Sequence, residues 1–96
     1  MVYEIAQIEV VPGKEADFEA GFTQAKPLFD RAQGCGGARL HRVIEHPGRY
    51  ILEVIWATRE DHTVTFRESE DFQEWRRLVG PFFNKPPEVV HTEIAA

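Results

Sequence analysis

The sequence predicts an α+β protein with the ferredoxin-like element order βαββαβ. Turn-forming residues divide the 96 residues into six segments, and the apolar residues follow strand periodicity in some stretches and helix periodicity in others. The dividing motifs are Pro12-Gly13, Gly34-Cys35-Gly36-Gly37, Pro47-Gly48, Gly80-Pro81 and Pro86-Pro87. In this order the four strands form an antiparallel sheet and both helices cover one of its faces. We expect residues 1–96 to form a single domain.

The first strand and the first helix are predicted on either side of Pro12-Gly13. Residues 2–11 are rich in β-branched side chains and therefore favour a strand. Residues 14–33 favour a helix, because large apolar residues recur at spacings of four, three and four. These residues are Phe18, Phe22, Ala25 and Phe29. Pro27 lacks a backbone donor and should kink this helix or end its regular part.

The two middle strands are predicted to form a hairpin. Residues 38–45 and 50–56 have strand character, and His46-Pro47-Gly48-Arg49 connects them. Proline followed by glycine favours a type II turn, because proline fixes φ and glycine accepts a positive φ. The two strands should therefore be antiparallel neighbours.

The second helical region is predicted in two parts. Thr58 and Asp61 have the spacing of a capping box, which favours a short helix over residues 59–68. Ser69 then provides a cap for a second helix, whose apolar stripe contains Phe72, Trp75 and Val79. This helix should end at Gly80-Pro81, and residues 87–94 should form the last strand.

Both faces of the predicted sheet contain apolar side chains. In residues 50–56 one face has Tyr50, Leu52, Val54 and Trp56, while the other has Ile51 and Ile55 around Glu53. An antiparallel sheet with one solvated face would alternate more cleanly between apolar and polar residues. We therefore expect the second face to pack against a second copy of the chain, which makes the protein a homodimer with its two sheets face to face.

Composition and charge exclude several classes of protein. Eleven Lys and Arg stand against sixteen Asp and Glu, for a net charge of −5, so binding to nucleic acid or to an anionic membrane is not expected. A single Cys excludes an intramolecular disulfide. The first residues lack the pattern of a signal peptide and no apolar run is long enough to span a membrane, so we expect a cytoplasmic protein.

The histidines provide one candidate for chemistry. His41, His46, His62 and His91 lie on separate segments and form no metal-binding pattern, so no metal site is expected. His62 falls in the first turn of the short helix, where the helix dipole lowers the pKa of an imidazole and keeps it neutral. A neutral imidazole suits a general base or a hydrogen-bond donor. The alternative is that His62 only caps the helix or packs at its start.

Aromatic residues are frequent, with seven Phe, two Trp and two Tyr forming 11% of the chain. Packing of the helices on the sheet accounts for most of them. Rings that the core does not use would line a pocket for a flat, apolar ligand. Arg76 and Arg77 follow Trp75, and we expect one of them to pair with Glu53 or Glu93, or else to hold a ligand anion. No glycine motif supports a Rossmann-type flavin or nicotinamide site.

Three runs of sequence resemble the antibiotic biosynthesis monooxygenase family. They are IEVVPGKE at residues 8–15, WATREDH at residues 56–62 and FRESEDF at residues 66–72, the last followed by Trp75. The resemblance implies a dimeric α+β barrel with a pocket between the helices and the sheet of each protomer. Some members of the family oxygenate aromatic polyketides without metal or flavin, because the deprotonated substrate itself supplies the electron to dioxygen.

The resemblance therefore implies a cofactor-independent monooxygenase that oxidises a small aromatic or quinol-like substrate with dioxygen. His62 would be its acid/base or orienting group. The residues expected to shape the pocket are Phe22, Phe66, Trp75 and Phe82, with Trp56 at its edge.

The resemblance leaves other activities open. A second branch of similar proteins degrades haem with an Asn in the first strand, a Trp and an iron-ligating His. The corresponding positions here hold Ala6, Phe66 and Arg76, which makes haem degradation the less favoured activity. Many members have no demonstrated reaction, so a non-catalytic small-molecule-binding or stress-response protein is the alternative from a different class.

Overall fold

The computed structural model describes residues 1–96 and contains the expected elements in the expected order. The strands are β1 (Val2–Glu9), β2 (Cys35–Arg42), β3 (Arg49–Trp56) and β4 (Glu88–Thr92), and the α-helices are α1 (Glu15–Asp30) and α2 (Glu70–Val79). A π-helix (Asp61–Phe66) precedes α2, and a 3₁₀ turn (Gly80–Phe82) follows it. All strand pairs are antiparallel, in the order β2-β3-β1-β4. The prediction of a four-stranded antiparallel sheet in an α+β fold is confirmed.

Helix α1 buries the predicted apolar stripe and adds Leu28 to it. Glu15 and Asp17 lie in its first turn, where the helix dipole favours negative charge. Pro27 lies inside the helix and does not end it, since α1 continues to Asp30. Gly34 then adopts a φ of +76°, a conformation that ends the helical direction and that side chains with a Cβ rarely adopt.

The hairpin has the predicted turn. The backbone N–H of Arg49 donates to the carbonyl oxygen of His46 at 3.0 Å, and Gly48 has a φ of +87°, as the third residue of a type II turn requires. Strand β2 begins at Cys35, earlier than the predicted residue 38, because a register irregularity between Cys35 and Gly37 lets this glycine-rich stretch pair with the end of β3.

The capping prediction is confirmed, but the short helix is a π-helix. The backbone N–H of Thr58 donates to Asp61 Oδ2 at 3.2 Å, and the N–H of Asp61 donates to Thr58 Oγ1 at 3.1 Å. The N–H of Arg67 donates to the carbonyl of His62 five residues earlier, at 3.1 Å, which is the hydrogen bond of a π-helix. Ser69 Oγ accepts from the N–H of Phe72 at 3.2 Å and caps α2 as predicted.

The two faces of the sheet have different surroundings. Alternate residues of β1 and β3, from Glu4 to Ile8 and from Tyr50 to Trp56, are buried under the helices. On the opposite face, cross-strand pairing places Tyr3 beside Ile55, Gln7 beside Ile51, and Ile5 between Glu53 and Val90. Val90 is 56% exposed. None of the helices combines the length and the apolar character needed to cross a lipid bilayer.

Candidate functional site

A cavity of about 510 Å³ lies between the sheet, the second helical region and the segment that leads into β4. Its floor is formed by side chains of β1 and β3, namely Glu4, Ala6, Ile8 and Leu52. Phe72, Trp75 and Phe83 add aromatic walls. The cavity has the size and the mostly apolar lining of a small-molecule site with a few polar groups.

Glu4 is the only carboxylate that lines this cavity. Two buried side chains contact its carboxylate. The indole Nε1–H of Trp56 donates to Glu4 Oε1 at 3.0 Å. His62 Nε2 lies 3.3 Å from the same oxygen. Both contacts fall on Oε1, which leaves Oε2 as the carboxyl oxygen available to a molecule in the cavity.

A second histidine extends the contact from Glu4 toward the protein surface. His62 Nδ1 and His91 Nε2 are 2.8 Å apart, a hydrogen-bond distance between the π-helix and β4. The register of β1 and β4 pairs Glu4 with His91, so both side chains point to the helical face of the sheet. We name Glu4, Trp56, His62 and His91 the Glu–His cluster.

Glu4, Trp56 and His62 are buried and His91 is half-buried, and burial is the largest influence on the protonation of the three titratable groups. Glu4 is 5% exposed, and desolvation raises its pKa to about 7, although the Trp56 hydrogen bond and the charge of Arg67 both lower it. Burial, with the charges of Arg67 and His91, lowers the pKa of His62 to about 4. Burial also lowers the pKa of His91. Near pH 7 the two imidazoles are therefore neutral, and Glu4 exchanges between its neutral and charged forms.

His62 is positioned by the aromatic core as well as by its hydrogen bond to His91. Its ring stacks on Trp56 with a centroid separation of 5.4 Å and an interplanar angle of 15°. His62 is 3% exposed, and the π-helix places it and Phe66 on the buried side. The stacking fixes the plane of the imidazole, and the hydrogen bond to His91 fixes its rotation within that plane.

Three cationic side chains line the same cavity, Arg67, Arg76 and Lys85. Lys85 Nζ lies 3.7 Å from a carboxylate oxygen of Glu9. The expectation that Arg76 or Arg77 pairs with Glu53 or Glu93 is wrong, because Arg77 binds Glu74 and Arg39 binds Glu53. Arg76 instead faces the cavity, where its charge favours a ligand that carries or develops negative charge.

The predicted site residues fall into three groups. His62 and Trp75 line the cavity. Trp56 is fully buried and reaches the site through its hydrogen bond to Glu4. Phe22 and Phe66 belong to the hydrophobic core, where Phe22 packs edge-on against Trp75, and half-buried Phe82 packs at the margin of that core. None of these three Phe side chains is among the residues that line the cavity.

Sequence reasoning missed Glu4, the role of His91 and the cations Arg67 and Lys85. It had offered Arg76 or Arg77 as a side chain that holds a ligand anion, and Arg76 does line the cavity. The signal for Glu4 was present, because it shares the strand face of Ala6 and Ile8, which are buried. A carboxylate at a buried strand position needs partners or a raised pKa. No group of three or more His, Cys, Asp and Glu side chains is arranged to hold a metal ion.

The fold and the cavity define a class of protein: a ferredoxin-like protomer with a cavity between its helices and its sheet. The chain belongs to the antibiotic biosynthesis monooxygenase family, whose profile matches residues 1–78. The family resemblance expected from the sequence is therefore confirmed.

Relatives of known structure share the fold over nearly the whole chain. A Bordetella bronchiseptica protein named "Putative antibiotic biosynthesis monooxygenase" is 58% identical, with a TM-score of 0.97 over 99% of this chain and 97% of that one. SnoaB from Streptomyces nogalater, a cofactor-independent oxygenase crystallised as a point mutant, has a TM-score of 0.83 over 99% and 93% of the two chains. At 16% identity, this likeness shows the fold alone.

A curated relative extends the comparison to a Bacillus protein. The "Uncharacterized protein YczJ" of Bacillus subtilis is 38% identical over 91 residues, which cover 95% of this chain and 96% of that protein.

Proposed function

We propose that the protein is a cofactor-independent monooxygenase that oxidises a small aromatic or quinol-like substrate with dioxygen. The observation that supports this most is the position of the Glu–His cluster, which presents a buried, titratable carboxyl to a cavity with aromatic walls and three cationic side chains. The aromatic walls can orient a flat ring, the cations favour the anion that deprotonation creates, and the carboxyl provides the proton-transfer group that this reaction requires.

The proposed reaction is balanced without a further reductant. For an anthrone, loss of the acidic C–H proton leaves an enolate, which transfers an electron to dioxygen. One oxygen atom then becomes the new carbonyl of the quinone, and the other leaves as water with the two hydrogens of the original CH₂ group. The substrate supplies all the electrons, and the protein has to bind, deprotonate and enclose it.

His62 takes the orienting role in this proposal. Both of its ring nitrogens already face protein groups, Glu4 on one side and His91 on the other. Its low pKa keeps the ring neutral at pH 7, so it can donate one hydrogen bond and accept one. We expect loss of this orienting contact to lower activity by about 10- to 100-fold, as loss of the outer-shell partners of metal-ligating histidines does.

The proposal is tested by following quinone formation in air with a panel of anthrones and quinols. We expect turnover by the wild-type protein and a loss of about 10- to 100-fold in His62→Ala. His46→Ala is the matched control, because it removes an imidazole from the exposed turn. Absence of turnover by the wild-type protein across the panel would favour the alternative, a non-catalytic small-molecule-binding protein.

We also propose that the protein acts as a homodimer whose sheets pack face to face. Proteins of this family commonly form dimers. In a lone protomer, the face opposite the helices leaves Tyr3, Ile5, Ile51, Ile55 and Val90 at least partly open to water. A second copy with the same apolar surface is the complement that a two-fold axis provides.

Sedimentation measures this association directly. We expect a species of twice the 11.0 kDa mass of the chain, and a shift toward the single-chain mass in Ile5→Lys, whose position is central to this face. A matched change on the exposed loop, Ile44→Lys, should leave the mass unchanged. A wild-type protein that sediments as one chain at micromolar concentration would contradict the dimer.

A further inference from the structure

We propose that Glu4 takes the acidic proton from the bound substrate at its Oε2 oxygen, and that Trp56, His62 and His91 hold the carboxylate in position for this transfer. This proposal rests on the proposed function, since it assigns the proton acceptor of the same cavity. It extends the chemistry to a substrate class: molecules with an acidic C–H or O–H beside a carbonyl or on an aromatic ring.

The hydrogen-bond directions in the Glu–His cluster follow from its donors and acceptors. Trp56 Nε1 carries a hydrogen and can only donate, so Glu4 Oε1 accepts from it. A hydrogen on His62 Nε2 is favoured as well, because a lone pair there would face the carboxylate at 3.3 Å. His62 Nδ1 must then accept from His91 Nε2–H at 2.8 Å. These three contacts are compatible with both imidazoles being neutral.

This arrangement makes the carboxylate, and not the imidazole, the group that is free to react. Both His62 nitrogens are engaged, so a substrate could reach one only by displacing Glu4 or His91. Glu4 keeps one oxygen, Oε2, outside these contacts, and its neighbour on the cavity floor is Ala6, whose small side chain leaves space beside the carboxylate. In this arrangement Glu4 is the base, His62 orients its carboxylate, and His91 fixes the tautomer of His62.

The surroundings of Glu4 suit reversible proton transfer near neutral pH. Its pKa of about 7 lets the carboxylate accept a proton from the substrate and later return it. The titratable or charged groups that face Glu4 or share its cavity are Cys35, His62, Arg67, Arg76, Lys85 and His91. The three cations of this set favour the enolate or phenolate that the transfer creates.

The proposed step is a simple proton transfer. The C–H or O–H bond of the substrate breaks, its electron pair stays on the substrate as an enolate or phenolate, and the proton forms an O–H bond with Glu4 Oε2. No oxidant takes part in this step. In heavy water without dioxygen, the acid exchanges its proton with solvent and returns a deuteron to the substrate.

Deuterium exchange tests this step apart from oxygenation. Anthrone and related C–H acids are incubated with the protein in heavy water without dioxygen, and loss of the C–H signal is followed by proton NMR. We expect the wild-type protein to accelerate exchange, with a rate that rises with pH to a plateau above a midpoint near 7. Glu4→Gln should lose about 10²- to 10⁴-fold of this acceleration. Glu68→Gln, which removes an exposed carboxylate, should not change it.

The positioning role of His91 has its own readout. His91→Phe keeps a ring but removes the donor to His62, so we expect the midpoint of the pH profile to move while exchange persists. If the Glu4 variant does not fold, the wild-type and His91→Phe profiles still test the proposal, and a wild-type midpoint near 4.5 would overturn it.

The outcomes separate this proposal from the proposed function. Deuterium exchange without quinone formation in air would support Glu4 as the base and contradict the monooxygenase activity. Oxygenation that survives in folded Glu4→Gln with an unchanged pH profile would keep the monooxygenase and overturn the role of Glu4. Absence of exchange by the wild-type protein with every C–H acid of the panel would overturn the role of Glu4 as well.

Discussion

Two glutamates on the same side of the sheet have opposite protonation behaviour. Glu4 contacts neutral groups in the Glu–His cluster, and its pKa is raised to about 7. Glu19, on α1, accepts two hydrogen bonds from Arg42 and one from Tyr50 at 2.6 Å, and these hydrogen bonds lower its pKa to about 2. Glu19 is a charged structural contact at any ordinary pH, whereas Glu4 changes charge near pH 7.

The difference teaches that burial and direct hydrogen-bond partners together separate a structural carboxylate from a reactive one. Desolvation raises the pKa of Glu4, whereas hydrogen bonds from Arg42 and Tyr50 lower the pKa of the less buried Glu19. Arg42 binds Glu19 directly, while Arg67 lowers the pKa of Glu4 only through its charge and forms no salt bridge with it. A carboxylate with a direct guanidinium partner remains ionised. A buried carboxylate without one is held at a protonation equilibrium that proton transfer can use.

The largest expected effect is on stability in Glu4→Gln. A raised pKa means that the folded protein binds the Glu4 proton more tightly than the unfolded chain, so this residue costs stability as pH rises from 4.5 through about 7. Between pH 4.5 and pH 8, the free energy of unfolding of Glu4→Gln should increase by about 3 kcal/mol relative to that of the wild type. Urea denaturation across this range measures the gain. A stability difference that does not change with pH would contradict the raised pKa.

Trp56→Phe should weaken the Glu–His cluster in a different way. The indole hydrogen bond lowers the pKa of Glu4, so its loss should raise that pKa further. We expect a stability loss of about 2 kcal/mol from the smaller ring and the missing hydrogen bond. Trp75→Phe is the matched control, because Trp75 lines the cavity without a hydrogen bond to Glu4. An equal shift of the Glu4 pKa in both variants would show that the Trp56 hydrogen bond has no specific influence on that pKa.

Tyr50→Phe tests the other glutamate. It removes one hydrogen bond from Glu19, whose pKa should rise from about 2 toward its ordinary value. A lowered pKa gives stability that is present above pH 4.5 and is lost as pH falls toward 2. With the Glu19 side chain 31% exposed, we expect a cost of about 1 kcal/mol at pH 7. The stability loss of Tyr50→Phe should become smaller as pH falls toward 2. A loss that became larger in acid would contradict the lowered pKa of Glu19.

The smallest effect is expected from Arg42→Gln. The Arg42 side chain is 73% exposed, so solvent screens its ion pair with Glu19. We expect a small decrease in melting temperature at low salt that disappears in concentrated salt. Thermal unfolding at both salt concentrations measures it, and a large decrease that persists in salt would indicate a packing role for the Arg42 side chain.

The sequence predicted most of the fold because its signals are local. Pro47-Gly48 determines a turn, Thr58 with Asp61 determines a cap, and Phe18 with Phe29 marks a buried stripe, all without knowledge of the tertiary structure. The π-helix could not be predicted in the same way. Its His62 packs on Trp56, which lies on another element, and such a tertiary contact leaves no local signal in the sequence.

The candidate site was only partly predictable, because a cavity depends on where several elements leave space. The composition gives the number of aromatic rings but not the direction in which each ring points. Phe22 and Phe66 point into the core and not into the cavity. Lys85 and its neighbours line the cavity from a segment without helical or strand periodicity. Glu4 was within reach of sequence reasoning through its strand face, but its contact with His62 joins β1 to the π-helix and is visible only in three dimensions.

The most direct measurement is an NMR titration of the glutamate side-chain carboxyl carbons, with Glu4→Gln and Glu19→Gln used to assign the two signals. The structure predicts a midpoint near 7 for Glu4 and near 2 for Glu19. A Glu4 midpoint near 4.5, the ordinary value for a glutamate, would contradict the account of this carboxylate as the proton acceptor of the cavity.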